Sequence, residues 1–113
     1  YFDEFNSIMA NINMAETSIL NGVVISEKKY MNEIMSELLD KYDIVFNIFQ
    51  DTGNVSVRQK INGIDIGELL SSLNIGGGHC RAGGFTVRNG DYRDYIEYVE
   101  ECILDIKMGD KSV

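Results

Sequence analysis

The stretch Ile75-Gly76-Gly77-Gly78-His79-Cys80-Arg81-Ala82-Gly83-Gly84-Phe85 places five glycines within nine residues, around the only histidine of the chain. Glycine has no Cβ, so consecutive glycines let backbone N–H groups approach an anion closely and point at it together. A histidine directly after them can donate to a phosphate oxygen, more strongly when protonated. Arg81, two residues on, can add a forked cationic contact. A glycine cluster alone is equally well explained by a helix stop and a turn. The histidine, the arginine and the small-residue run Ala82-Gly83-Gly84 set this one apart. No Gly-Lys-Ser/Thr closes it, so it is not a Walker loop, and no strand leads into it as a dinucleotide fingerprint requires.

Working outward, Gly76 to Gly84 reads as a loop and Phe85 to Arg88 as a strand. Before the loop, Asp65 with Glu68 three residues on resembles a capping box. It opens a short helix whose Ile66, Leu69, Leu70 and Leu73 face inward. Asp43 to Asp51 and Val55 to Ile61 read as two strands joined by the turn Thr52-Gly53-Asn54, a hairpin. Val55, Val57 and Gln59 share one face of the second strand; Ser56, Arg58 and Lys60 share the other. Upstream, Phe2 to Glu16 carries a helical stripe of Phe5, Ile8, Met9 and Ile12. Ile19 to Ile25 is strand-like, and Ser26 offers a cap for a helix over Glu27 to Leu39. At the far end Asp91 caps a helix to about Lys107, with Tyr92, Tyr95, Ile96, Val99, Ile103 and Ile106 inward, and residues 108–113 read as a frayed tail. The expected fold is a single α/β domain: a mixed sheet of about four or five strands packed with helices.

The chain has 113 residues, enough for one core, and a hydrophobic share of 44%, far above that of disorder. No run of eighteen apolar residues is available for a membrane span. The net charge of -8 argues against a broad grip on long nucleic acid. It leaves room for a small phosphorylated ligand, which needs only a few local donors. Two cysteines, Cys80 and Cys102, are too few for a disulfide framework or a zinc site. Free thiols and a cytoplasmic setting are expected. The chain starts at Tyr1 and reads as a piece of a longer protein.

Gly76-Gly77-Gly78-His79 followed by Ala82-Gly83-Gly84-Phe85 resembles the GGGH signature of the DHH-associated domain, which follows the catalytic domain in phosphoesterases of the DHH superfamily. Val55-Ser56-Val57-Arg58 matches the arginine-bearing strand that the family carries earlier in the domain. The resemblance covers residues 18–107, and Ile75 and Gly83 stand where many members have a glycine and an alanine. It implies that residues 1–17 are a linker helix from a preceding DHH domain. That domain would bind two manganese ions and perform hydrolysis. This chain would hold the phosphate or nucleotide end of the substrate through Gly76, Gly77, Gly78, His79 and Arg58. Arg81 joins them by its own chemistry, since that position varies in the family. Relatives include single-strand exonucleases, nanoRNases, cyclic dinucleotide phosphodiesterases and exopolyphosphatase-related proteins. No Asp-His-His triplet is present, so catalytic residues and metal ligands are expected to be absent here and the chain alone inactive. The expected partners are the DHH domain and a small phosphorylated substrate or short single-stranded nucleic acid, with no membrane and with a homodimer left open. A non-enzymatic nucleotide- or phosphate-binding regulatory module would use the same loop, and a purely structural domain would need no ligand.

Overall fold

The computed structural model describes residues 2–111. In chain order the elements are α1 (Phe2–Asn11), β1 (Ala15–Glu16), β2 (Gly22–Ile25), α2 (Met31–Leu38), β3 (Ile44–Phe49), β4 (Asn54–Gln59), α3 (Ile66–Ser72), β5 (Gly76–Gly78), β6 (Ala82–Thr86) and α4 (Tyr92–Lys111). The six strands form one sheet in the order β1-β2-β3-β4-β6-β5. Only β2 and β3 run parallel, joined through α2; every other neighbouring pair is antiparallel. This is the mixed sheet expected from the sequence, with six strands where four or five were expected. Both additions are short edge strands.

Alternation along the strands sorts the core into two layers. Ile44, Phe46, Ile48, Val55, Val57 and Phe85 point to one face and pack under α3 and α4. Val23, Ile25 and Val45 point to the other face, where Ile34, Met35 and Leu38 of α2 cover them and α1 lends Phe5, Ile8 and Met9. The second layer ends at β3. On the same face β4 carries Ser56 and Arg58, which are half-buried, and β6 carries Ala82, Gly84 and Thr86. Among the described residues no apolar cluster covers that part of the sheet.

Several boundaries moved. Helix α1 stops at Asn11 rather than Glu16, because Ala15 and Glu16 pair with Val24 and Val23. Ser26 does not cap α2: its hydroxyl donates to the Ile48 carbonyl at 2.8 Å. The helix starts at Met31 instead, after Tyr30 in a left-handed conformation (φ 57°) with no side-chain cap. Asn47, fully buried, holds the intervening turn by exchanging bonds of 2.9 and 2.8 Å with the backbone of Glu27. Asp65 does cap α3, accepting from the Glu68 N–H at 3.0 Å. Asp91 likewise accepts from the Arg93 N–H at 3.0 Å at the start of α4. That helix runs on to Lys111, so the expected frayed tail is largely helical; residues 112–113 lie outside the described residues. Ile106, expected inward, is exposed.

Candidate functional site

The expected loop from Gly76 to Gly84 is not a loop. Its first three glycines form β5, the last strand of the sheet, paired antiparallel to β6 with Gly76 opposite Phe85 and Gly78 opposite Gly83. Residues 79–81 make the turn between them. The His79 N–H donates to the Ala82 carbonyl at 2.7 Å, which closes the turn tightly. The strand expected over Phe85 to Arg88 begins earlier and covers Ala82 to Thr86. Propensity hides this pairing, since glycine is depleted in strands and a glycine strand has no side chains to pattern.

Close approach explains the glycines. A Cβ on Gly78, which has φ 140°, would lie 2.5 Å from the Gly83 Cα. A Cβ on Gly76 would lie 1.9 Å from the Gly84 carbonyl oxygen. Gly77 is the contrasting case: a Cβ there meets nothing within 4 Å. That space is what an incoming ligand could use. As an edge strand, β5 also keeps its outer row of backbone groups without a strand partner.

Helix α3 clamps the other side of the turn. Its Ile66 and Gly67 N–H groups donate to the carbonyls of Cys80 and His79, each at 3.0 Å. The first amides of α3 are therefore spent on the turn and on Asp65. What reaches solvent is the turn itself, with exposed His79, Cys80 and Arg81. Between α3 and β5 lies a groove of about 620 Å³ lined by Asp65, Gly67, Glu68, Ser71, Gly77, Gly78, His79 and Cys80.

The two arginines come to the same end of the sheet. Arg58 stands opposite Ala82 across the β4–β6 pairing, and Ala82 is the residue bonded to His79. Arg58 and His79, at the end of β5, are thus two strand spacings apart, roughly 10 Å. The Arg58 guanidinium donates to the Asn32 side-chain oxygen, which steers it over α2. Arg81 donates from Nη1 to the Ile61 carbonyl at 3.0 Å. That bond uses one of its five N–H groups and turns the side chain toward the 61–64 loop. The sequence suggests Arg81 as a phosphate contact; in the structure the side chain braces the loop at Ile61.

Two residues central to this geometry were not singled out from the sequence. Gln59 is fully buried. Its Nε2 donates to the carbonyls of Ile64 (2.9 Å) and Cys80 (2.7 Å), and its Oε1 accepts from the Ile61 N–H at 2.6 Å. One amide therefore ties the loop before α3 to the glycine turn. Gly67 is the other. A Cβ there would sit 2.3 Å from the Gly78 carbonyl oxygen, so its absence lets α3 touch β5. The available signals were a polar residue in register with Val55 and Val57, and a glycine inside a helix.

A second cavity, of about 420 Å³, lies between α4 and β1–β2 and includes Glu16, Thr17, Ser18, Glu97 and Glu100. Glu100 is 1% exposed, and its Oε2 has no hydrogen-bond partner among the described residues. Burial raises its pKa above the usual carboxylate range, against the pull of Thr17 and the backbone of Leu20 and Ile19. The orphan oxygen faces β2, 2.9 Å from where a Gly22 Cβ would stand, so it is turned toward the sheet. Among the described residues no group of three or more His, Cys, Asp or Glu stands close enough to hold a metal ion. These residues do not fit a manganese centre. No helix of the described residues is long and apolar enough to cross a membrane.

Three solved structures are similar to this fold. An uncharacterized protein from Helicobacter pylori G27 is 25% identical, with TM-score 0.53, over 78% of this chain and 27% of its own. An exopolyphosphatase-related protein from Bacteroides fragilis is 16% identical, with TM-score 0.56, over 88% and 34%. A pGpG-specific phosphodiesterase from Vibrio cholerae is 19% identical, with TM-score 0.51, over 92% and 38%. The chain thus spans well under half the length of each. No curated protein sequence matches. The model of the DHHA1 domain matches residues 16–105, which takes in β2 through most of α4 and every residue of the glycine turn, and the chain belongs to that domain family.

Proposed function

We propose that this domain is the substrate-holding half of a manganese-dependent DHH-family phosphoesterase, gripping a terminal or neighbouring phosphate at Gly76–His79. The observation that carries the reading is the composition of one sheet corner. A glycine edge strand with open space over Gly77 runs into exposed His79, and Arg58 stands two strands away at the same end. Backbone N–H groups and His79 would meet the phosphate oxygens, and Arg58 and Arg81 would supply positive charge. The metal and the attacking water would come from a preceding DHH domain. Holding a phosphate remote from the scissile bond orients the substrate, and binding energy gained there lowers the barrier at the reacting phosphorus. Short oligonucleotides, linear dinucleotides and related phosphoesters are the substrates this serves. The exopolyphosphatase-related and pGpG-specific phosphodiesterase neighbours support a phosphoester setting.

Thermal unfolding with and without millimolar mononucleotide, dinucleotide or phosphate tests the site. A ligand that binds the folded state raises the Tm with its saturation. His79→Ala removes a charge-assisted hydrogen bond worth about 1.5–3 kcal/mol, so the shift should vanish. The side chain is exposed, so the unliganded Tm should stay close to the parent's. A ligand shift that persists in His79→Ala would remove the phosphate from this corner.

A further inference from the structure

Charge is distributed unevenly around the glycine turn. Arg58 and Lys60 lie at the end of β4, and the Arg81 carbonyl accepts from the Gln59 N–H, so the cations gather on the β4 side. On the opposite side, across the groove from Gly77–His79, α3 presents Asp65, Glu68 and Ser71. Asp65 has one carboxylate oxygen occupied as the cap of α3. Glu68 is exposed, among the described residues no ion pair or side-chain hydrogen bond holds its carboxylate, and Ser71 lies one turn further along the same helix face. The groove is an open surface channel wide enough for a nucleoside to lie along it. A phosphate at its mouth would meet the glycine amides and His79, but a second phosphate extending along α3 would face the carboxylates of Asp65 and Glu68, with no lysine or arginine in the groove lining.

We infer that Glu68 is a specificity residue of this site, admitting a nucleoside into the α3–β5 groove behind the bound phosphate and excluding a second phosphate group. This rests on the phosphate position proposed above. A nucleoside suits the groove because it is uncharged and carries ribose hydroxyls and base N–H groups, which Glu68 and Ser71 can accept. A chain of phosphates has only acceptors and negative charge to offer. The domain therefore takes a nucleotide end in preference to an inorganic polyphosphate, even though the polyphosphate is the more highly charged anion.

The test is calorimetric binding of AMP and of tripolyphosphate to the chain, to Glu68→Gln, to Glu68→Lys and to His79→Ala at low ionic strength. In the parent, AMP should bind at least as tightly as tripolyphosphate. Glu68→Gln should lower the ratio of the two dissociation constants, tripolyphosphate over AMP, by about fivefold, and Glu68→Lys by more. Added salt should shrink the difference between variants. Tripolyphosphate binding tighter than AMP in the parent, or a ratio unmoved in both Glu68 variants, would overturn the inference. If the ratio is unmoved while His79→Ala abolishes both ligands, the phosphate site stands and only the role of Glu68 falls. If His79→Ala leaves both ligands bound, or neither binds the parent, the phosphate position falls and the inference falls with it.

Discussion

Gly67→Ala is expected to destabilise this domain, against the ordinary preference of a helix. Within a helix alanine is favoured over glycine by about 1 kcal/mol. Gly67 is the second residue of α3, so propensity alone predicts a gain. The new Cβ, however, would lie 2.3 Å from the Gly78 carbonyl oxygen, 2.4 Å from its carbon and 2.9 Å from the His79 nitrogen. All three are backbone atoms and no rotamer change relieves them. Helix α3 must withdraw from β5, which strains the 3.0 Å bonds from Ile66 and Gly67 to Cys80 and His79. Overpacking of this kind costs about 1–3 kcal/mol. Net of the helix gain of about 1 kcal/mol, and at about 4 °C per kcal/mol for a domain of this size, the Tm should fall by up to about 8 °C. Gly109→Ala in α4 is the control, because a Cβ there meets nothing within 4 Å. Thermal denaturation followed by circular dichroism compares them. A Gly67→Ala chain as stable as the parent, or more so, would refute the claim that α3 and β5 are in backbone contact.

Two other perturbations separate the layers of the argument. Gln59→Leu keeps approximate volume but strips partners from two carbonyls and one N–H, so chemical denaturation should show a loss of about 2–4 kcal/mol. The same chain should bind phosphate ligands more weakly, since its glycine turn has lost a tie. Glu100→Gln should raise stability at neutral pH. Burial raises the folded pKa of Glu100, so its contribution is full below the unfolded value and is lost as pH rises through the folded one. The Tm gap between variant and parent should therefore be small near pH 4 and widen as pH rises. A gap that is constant with pH would show that Glu100 titrates alike in both states.

The hairpin β3–β4, the cap at Asp65 and the start of α4 were legible because each rests on local chemistry: alternation, a glycine turn, a side-chain oxygen three residues before an amide. What was not legible depended on partners distant in sequence. Ala15 and Glu16 continue a helical rhythm and become a strand only because Val23 and Val24 need a neighbour. Tyr30 takes over from Ser26 because Asn47 and Ile48, on β3, claim the residues around Ser26. The glycine strand was hidden for a different reason: its pattern lies in backbone contacts, which no periodicity of side chains reports. Of the residues read as a site, the glycines and His79 are contiguous at the edge of the sheet, whereas Arg58 sits two strands away with its side chain on the α2 face. The supports Gln59 and Gly67 were missed because their work is done for other residues.

A strand made of glycine also bears on how such a site can change over generations. Gly76 and Gly78 have no room for a Cβ, so the strand edge they form is nearly closed to mutation. If this edge holds a phosphate as proposed, preference for one ligand over another must be written at its border, in positions such as Glu68 and Ser71. A lineage carrying this domain could then change its ligand by exchanging a few surface side chains while the glycine edge stays fixed.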